Sequence, residues 1–239
     1  TLTAGARVFR NTLHVTDSAD GVFAGGPSHV DRALEESSTT PKFVLSYKLN
    51  PEVMFYAQAA KGYRIGQTGL APPVDPVSGL PVPSVYGPDS LWNYEGGMKS
   101  TLAGDRLTLN VAAYYIDWTD IQLQNRSAAG FVYIVNAGKA RSQGVEIEAK
   151  LRPTDHVELG TALSFNSTRL QSVAPGVIAT VTDQLPGAAK FTAASYVEFH
   201  FTQSFADLAY LRLDHQYAGK AYSDLNNSTA LTFGDYNTF

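Results

Sequence analysis

The sequence predicts an all-β protein, an antiparallel up-and-down meander of about 9–10 long strands. Three observations carry that expectation. Apolar and polar residues alternate with period two over long stretches, which is strand spacing. Helical 3.6-residue spacing is scarce, while Tyr (13) and Phe (12) are plentiful. Short connections alternate with long ones along the whole chain.

The strands fall near residues 2–10, 41–50, 53–63, 90–101, 106–118, 131–151, 157–169, 190–202 and 205–217, and a tenth begins at Gly234. Most are about ten residues or longer, against ~5–6 in an ordinary strand. Short turns sit at 50–51, 103–104, 152–156 and 202–204. Loops rich in Gly, Pro, Ser and Asn fill 11–39, 64–89, 171–189 and 218–233, with another at 124–130. Such alternation puts all the long loops at one end, as in barrels of the outer membrane.

Register tests the meander. Closing a hairpin at Ala103-Gly104 sets Met98 against Leu109, Gly96 against Val111, Tyr94 against Ala113 and Trp92 against Tyr115. Closing the next over 152–156 sets Leu151 against Val157, Ala149 against Leu159 and Val145 against Leu163, with Lys150 opposite Glu158. Both hairpins sort into one apolar and one polar face. The hairpin at 202–204 sorts less well, because Asp207 and His215 share a row with Phe199, Leu211 and Leu213, which suggests a bulge or a rim.

The stretch "GVEIEAKL" at 144–151 poses the central question. Val145, Ile147, Ala149 and Leu151 alternate with Gly144, Glu146, Glu148 and Lys150. The charged face needs water. The apolar face then meets either a protein core or lipid. Strand length, alternating loop lengths and aromatic clusters at strand ends (Trp92, Tyr94, Tyr114, Tyr115, Trp118; Phe199, Phe201, Phe205) favour lipid.

Composition narrows the class. The net charge of −4 does not suggest nucleic acid, and zero cysteines exclude a disulfide scaffold and a cysteine metal site. No run reaches the ~20 apolar residues of a spanning helix. "KGYR" (61–64) and "GYRIGQTG" lack the continuations that RNA-binding and dinucleotide motifs require. The histidines at 14, 29, 156, 200 and 215 have no ligand spacing, so neither a metal nor a cofactor is expected, and no catalytic set emerges.

The stretches "NYEGGMKSTLAGDRLTLNVAAYYIDWTDIQLQ" (93–124), "NAGKARSQGVEIEAKLRP" (136–153), "SYKLNPEVMFYAQAAKGYRIG" (46–66), "LPGAAKFTAASYVEF" (185–199) and "YLRLDHQYAGKAYSD" (210–224) resemble the TonB-dependent outer-membrane receptors over residues 40–224. The resemblance implies a 22-stranded barrel, an N-terminal plug inside it, and a TonB box that recruits the inner-membrane energy transducer. Residues 1–239 then form an open segment of that barrel, without plug, TonB box or last strands. Tyr236 stands out of phase with Phe239, so the final residue is not read as a barrel's closing strand.

The expected function is energy-dependent uptake of a scarce ligand, most simply a ferric siderophore, in the outer membrane of a Gram-negative cell. The expected partners are outer-membrane lipid, the protein's own plug and the TonB complex. Alternatives are a self-contained ten-stranded barrel (a porin, or a protease with its site at the rim) and a soluble β-rich binding module. Lys99, Glu146, Glu148, Lys150, Glu158, Arg212 and Asp214 are expected to face the lumen. Tyr63, Arg64, Tyr86 and Arg126 are candidate ligand contacts in the loops.

Open sheet edges expose unpaired N–H and C=O groups. Expressed alone, residues 1–239 should therefore require detergent and lack the heat-modifiable gel mobility of a closed barrel. A soluble, cooperatively melting monomer in plain buffer would place the apolar faces against each other instead of lipid.

Overall fold

A computed structural model of the chain describes residues 1–21, 26–69, 74–203, 206–225 and 227–239. Ten strands make one sheet: β1 (Leu2–Ala19), β2 (Ser28–Lys48), β3 (Val53–Arg64), β6 (Asp89–Leu102), β7 (Leu107–Thr119), β10 (Ala140–Thr154), β11 (Val157–Leu170), β12 (Phe191–Gln203), β13 (Ala206–Ala218) and β16 (Tyr236–Thr238). Every strand pairing among the described residues is antiparallel, and in the large sheet each joins strands that follow one another. The remaining strands form small ladders within the long loops: β4 (Gln67–Thr68) with β5 (Val85–Tyr86), β8 (Gln122–Arg126) with β9 (Val132–Asn136), and β14 (Ala221–Tyr222) with β15 (Thr232–Phe233).

The meander and the alternation of loop lengths are as expected. Connections at 49–52, 103–106 and 155–156 are short; those at 65–88, 120–139, 171–190 and 219–235 are long and lie at the other end. Asn50 makes the first short turn, its Oδ1 accepting the N–H groups of Glu52 at 2.9 Å and Val53 at 2.8 Å. The expected turn at 202–204 falls partly on Ser204, and Phe205 of the aromatic clusters with it, outside the described residues; the side chain of Asp207 is likewise outside them. The register shift between Phe201 and Gln203 supplies the bulge expected in this hairpin.

Two expectations are corrected. Residues 11–39 are not a loop: β1 and β2 continue through most of that stretch as a paired arm, from Leu2↔Leu45 to Ala19↔Ser28. Backbone pairing of β2 with β3 covers only Lys42 to Lys48, so the outer arm stands beyond the sheet. Ser, Thr, Asp and Glu dominate the arm and read as loop composition, although Leu13, Val15 and Leu34 alternate along one side of it. Residues 131–151 are also not one strand, because β9 turns back on β8 before β10 begins.

Both tested hairpins are two residues out of register. Met98 pairs with Val111 and Tyr94 with Tyr115, because the turn takes four residues, 103–106, with Ala103, Gly104 and Asp105 all at positive φ. Leu151 pairs with Leu159 and Lys150 with Gly160, through an irregularity between Leu151 and Thr154. A slip of two leaves every side chain on its expected face. Lys150 still meets Glu158, now diagonally, at 2.8 Å.

The two faces are chemically distinct. One carries continuous rows such as Phe55–Met98–Val111–Ile147–Leu163–Ala193–Tyr217 and Leu102–Leu107–Leu151–Leu159–Val197–Leu213. Nothing covers it: Leu213 is 60% exposed and Leu45 56%. A soluble sandwich would pack a second sheet there ~10 Å away, and the described residues form none. β1 and β16 do not pair with each other either, so the sheet is open and not a closed ten-stranded barrel.

The polar face curves around a hollow of about 710 Å³ whose lining runs from Tyr56 on β3 to Tyr236 on β16. Glu146 and Glu148 line it, so the charged side of "GVEIEAKL" is concave and its apolar side convex. One device recurs on this concave wall. Tyr56 lies opposite Gly97, Tyr114 opposite Gly144 and Tyr196 opposite Gly160. Each ring lies flat across its glycine, at 2.6 to 2.8 Å from where a Cβ would stand at Gly97, 2.6 to 2.7 Å at Gly144 and 2.0 to 2.8 Å at Gly160. Each hydroxyl then reaches the residue two before the glycine: Glu95 at 2.6 Å, Ser142, and Glu158 at 2.7 Å.

Gly160→Val drives a branched side chain into the Tyr196 ring and should cost about 1–3 kcal/mol, read as a lower urea midpoint of receptor folded in detergent. Gly96→Ala on the convex face, whose nearest neighbour is a backbone oxygen at 3.8 Å, should leave that midpoint unchanged.

Candidate functional site

The candidate site has two parts, the concave wall and the loop end above it. On the wall, Lys99 sits 5.7 Å from the Tyr56 ring centroid. Glu148 accepts from Asn110 at 3.2 Å, and Glu146 projects into the hollow without an ion pair among the described residues. Glu158 is buried and takes three partners: Lys150 at 2.8 Å, Arg152 at 2.7 Å and Tyr196 at 2.7 Å. Arg212 joins Asp214 at 2.8 Å and Glu198 at 3.3 Å and lies 3.8 Å over the Tyr196 ring. All seven residues expected to face the lumen thus stand on the concave side. They form two groups, Lys150, Glu158, Arg212 and Asp214 around Tyr196, and Lys99, Glu146 and Glu148 around the hollow. Neither group has the geometry of an acid–base pair working on a substrate, and no cluster of metal-ligating residues occurs among the described residues.

The loop end is a packed body. Ile121, Val135, Ala137, Ala140, Leu170, Leu185 and Leu225 form the buried hydrophobic cluster, and they come from strand tops and long loops. Beneath it lies a polar knot. The buried Asp89 carboxylate accepts both Nε and Nη2 of Arg64 and the Gln122 N–H at 2.9 Å. Gln122 Nε2 donates to the carbonyls of Ile65 at 2.8 Å and Gly87 at 2.9 Å. Asn136 brackets Gly87, accepting its N–H at 2.7 Å and donating to its carbonyl at 3.0 Å. The Arg64 guanidinium also lies 5.0 Å over Trp118. Higher up, Asp75 accepts from Val77, Ser78 and Ala129, tying 65–88 to 120–139. A hydrogen bond from Ser127 and the N–H groups of Ser78 and Ala129 hold its carboxyl well below the usual range, against the opposing effect of burial.

The four loop candidates do not converge. Tyr63 donates to Glu36 at 3.1 Å, Tyr86 to Gln67 at 3.3 Å, and Arg126 closes its own hairpin on the Gly130 carbonyl at 3.0 Å. Arg64 is committed to Asp89. Sequence reasoning gave no role to Asp89, Gln122, Asp75 or Tyr196, although Gln122 and Tyr196, like Asn136, stand in the stretches that carry the family resemblance. Tyrosines spaced from Glu-x-Gly pairs were the available signal for the wall.

A single open sheet with a wet concave face, a bare apolar convex face and a packed loop end defines a segment of an outer-membrane β-barrel. The chain belongs to the family described as TonB dependent receptor-like, beta-barrel, which it matches over residues 1–239. That family comprises receptors and transporters of the Gram-negative outer membrane, not enzymes, and the outer membrane is where this chain resides.

Among its relatives, the metal-pseudopaline receptor CntO of Pseudomonas aeruginosa is 26% identical over 158 residues, 66% of this chain and 20% of that protein. The pesticin receptor of Yersinia enterocolitica is 32% identical over 127 residues, 53% of this chain and 17% of that protein. Among solved structures, the ferric yersiniabactin uptake receptor FyuA of Yersinia pestis matches with a TM-score of 0.79 at 21% identity, over 99% of this chain and 34% of that one. The chain therefore spans about a fifth of the length of the curated relatives it matches and a third of that structure.

Asp89→Ala leaves the Gln122 N–H and the Arg64 charge without their acceptor. It should cost about 1–3 kcal/mol, seen as a lower urea midpoint and faster protease nicking within 120–139; unchanged nicking would show that the knot does not hold the loops.

Proposed function

We propose that the gene product carrying this chain is an energy-dependent outer-membrane receptor that takes up a ferric siderophore. The observation that carries the reading is membership of the receptor family across residues 1–239, with a relative named for a metal chelate, the metal-pseudopaline receptor. The similar folds of a ferric yersiniabactin uptake receptor and a ferric-catecholate import receptor are in keeping with it.

In this reading the chain contributes one wall of a larger barrel. The convex rows meet lipid. The concave wall, with Lys99, Glu146, Glu148 and the Tyr196 group, faces a plug domain and the water-filled path that opens when the TonB complex pulls on it. The loop body above captures the ligand, with Tyr86 and the exposed Arg126 as contacts. No covalent chemistry is required, because the inner membrane supplies the energy.

The test is uptake of ⁵⁵Fe-labelled siderophores by cells with and without the gene. Uptake of one chelate should vanish in the deletion strain, and should vanish equally when a protonophore or loss of TonB removes the energy source. Uptake that persists in de-energised cells would identify a passive pore and overturn the proposal.

A further inference from the structure

We infer that the convex face centred on Thr161, Ser195 and His215 is an interface inside the membrane, and that its occupant is a second copy of this protein. The inference rests on the outer-membrane location and not on the transport reading.

His215 is the residue that sorts badly in the sequence, in a row with Leu211 and Leu213. The bulge in its hairpin does not turn it inward. The ladder of β12 with β13 runs unbroken from Thr192↔Ala218 to Phe201↔Ala209, and the register shifts only beyond that point. Ala149 pairs with Thr161, Thr161 with Ser195, and Ser195 with His215. By alternation these four residues share the face of Leu151, Leu159, Val197 and Leu213. A polar row therefore points at lipid.

Aromatic side chains fix its depth. Phe165, Phe191 and Tyr217 form a line toward the long loops, with ring centroids 4.8 Å and 5.8 Å apart. Phe199 and Phe201 stand toward the short turns. Such girdles flank the apolar band on both sides. On β12, Ser195 lies midway between Phe191 and Phe199, about 13 Å along the strand from each. At a tilt of ~40° the row falls near the middle of the ~25 Å band.

Polar groups at that depth find no partner in hydrocarbon. The row satisfies itself only in part. Thr161 Oγ1 and Ser195 Oγ share one hydrogen bond at 2.9 Å, which leaves one hydroxyl proton unspent. His215 Nε2 meets Asn237 Oδ1 at 2.9 Å, and Asn237 lies opposite Tyr217 on the same convex face. His215 Nδ1 and the amide N–H groups of Asn237 have no partner among the described residues.

A lipid chain offers neither donor nor acceptor, so the occupant is protein. Hydroxyl, amide and imidazole groups each donate and accept, and no carboxylate or ammonium group stands among them. The row is thus complementary to itself. The membrane holds every copy at one height and in one orientation. A two-fold axis along the membrane normal sets the row against its own image at the same depth, the isologous contact of a symmetric dimer. An unrelated barrel would need a matching polar row at this depth by coincidence. Ala149, Thr161 and Ser195, with Ala193 one row above, are small, which lets two backbones approach closely as small residues do between membrane helices.

The test uses the full-length gene product in outer membranes, in a background otherwise free of cysteine. On mild oxidation Ser195→Cys should cross-link to twice the monomer mass, because a two-fold contact brings the residue to its own image. Ala57→Cys, exposed on the same convex face at β3, should not. The variant Thr161→Val, Ser195→Ala, His215→Leu, Asn237→Leu should keep heat-modifiable mobility. In non-ionic detergent its dimer should be weaker by at least about tenfold in sedimentation, since side-chain hydrogen bonds within membranes average roughly threefold each. Equal cross-linking of Ala57→Cys and Ser195→Cys would overturn the proposal. So would an unchanged dimer in the quadruple variant, monomer as the sole species ejected from native membrane vesicles, or a Ser195→Cys adduct of any other mass.

Discussion

The structure depends on one constraint: within hydrocarbon, every backbone N–H and C=O must find its partner in the protein. A meander meets that need strand by strand, each bonded to the one before and the one after. Length follows from it, since thirteen to fifteen residues in strands such as β7 and β10 are what a tilted crossing needs. Two incompatible faces follow as well. A sheet that keeps its polar groups paired can present rows of leucine and phenylalanine to lipid on one side and glutamate and lysine to water on the other. No second layer is required, and the only buried hydrophobic cluster among the described residues forms at the loop end.

The concave wall meets a further difficulty. Large side chains on the inside of a curved sheet would crowd the hollow. Setting Tyr56, Tyr114 and Tyr196 opposite glycines lets each ring lie along the wall and cover exposed backbone, a recognised way to recover the strand stability that glycine forfeits. The hydroxyl's bond to Glu95, Ser142 or Glu158 fixes the ring's direction. Charged partners then gather round the same rings, as Lys99 does at Tyr56 and Arg212 at Tyr196. The wall is consequently lined by rings laid along it and by hydrated charge.

At the loop end the physics changes. The connections there are long, but they are not separate flaps. Gln122 and Asn136 satisfy main-chain groups of Ile65, Gly87 and Asp120 where the strands stop, and Asp89 accepts the N–H of Gln122. Asp75 joins two loops through main-chain donors. Above them, apolar residues from three connections and two strand ends exclude water together. Through such bracing each loop's conformation is set by its neighbours.

The sequence by itself determined the alternation, and with it the faces. Glu146, Glu148 and Lys150 had to share one side and Val145 to Leu151 the other, because a strand permits nothing else. It also determined the meander, through the rhythm of short and long connections, and the family, through Tyr94 to Lys99 and Asn136 to Glu148. Tertiary structure decided the rest. The turn at 103–106 set the register two residues from the simplest closure, since left-handed backbone at Ala103 and Asp105 cannot be read from residue type. The β1–β2 arm was masked by its composition, because Ser, Thr, Asp and Glu outnumber the few apolar residues, Leu13, Val15 and Leu34, that mark its one side. Asp89 meets Arg64, and Tyr196 meets Glu158, across distances of 25 and 38 residues. Neither partner's identity is encoded locally; each is fixed by register, which is the sum of every ladder bond between them.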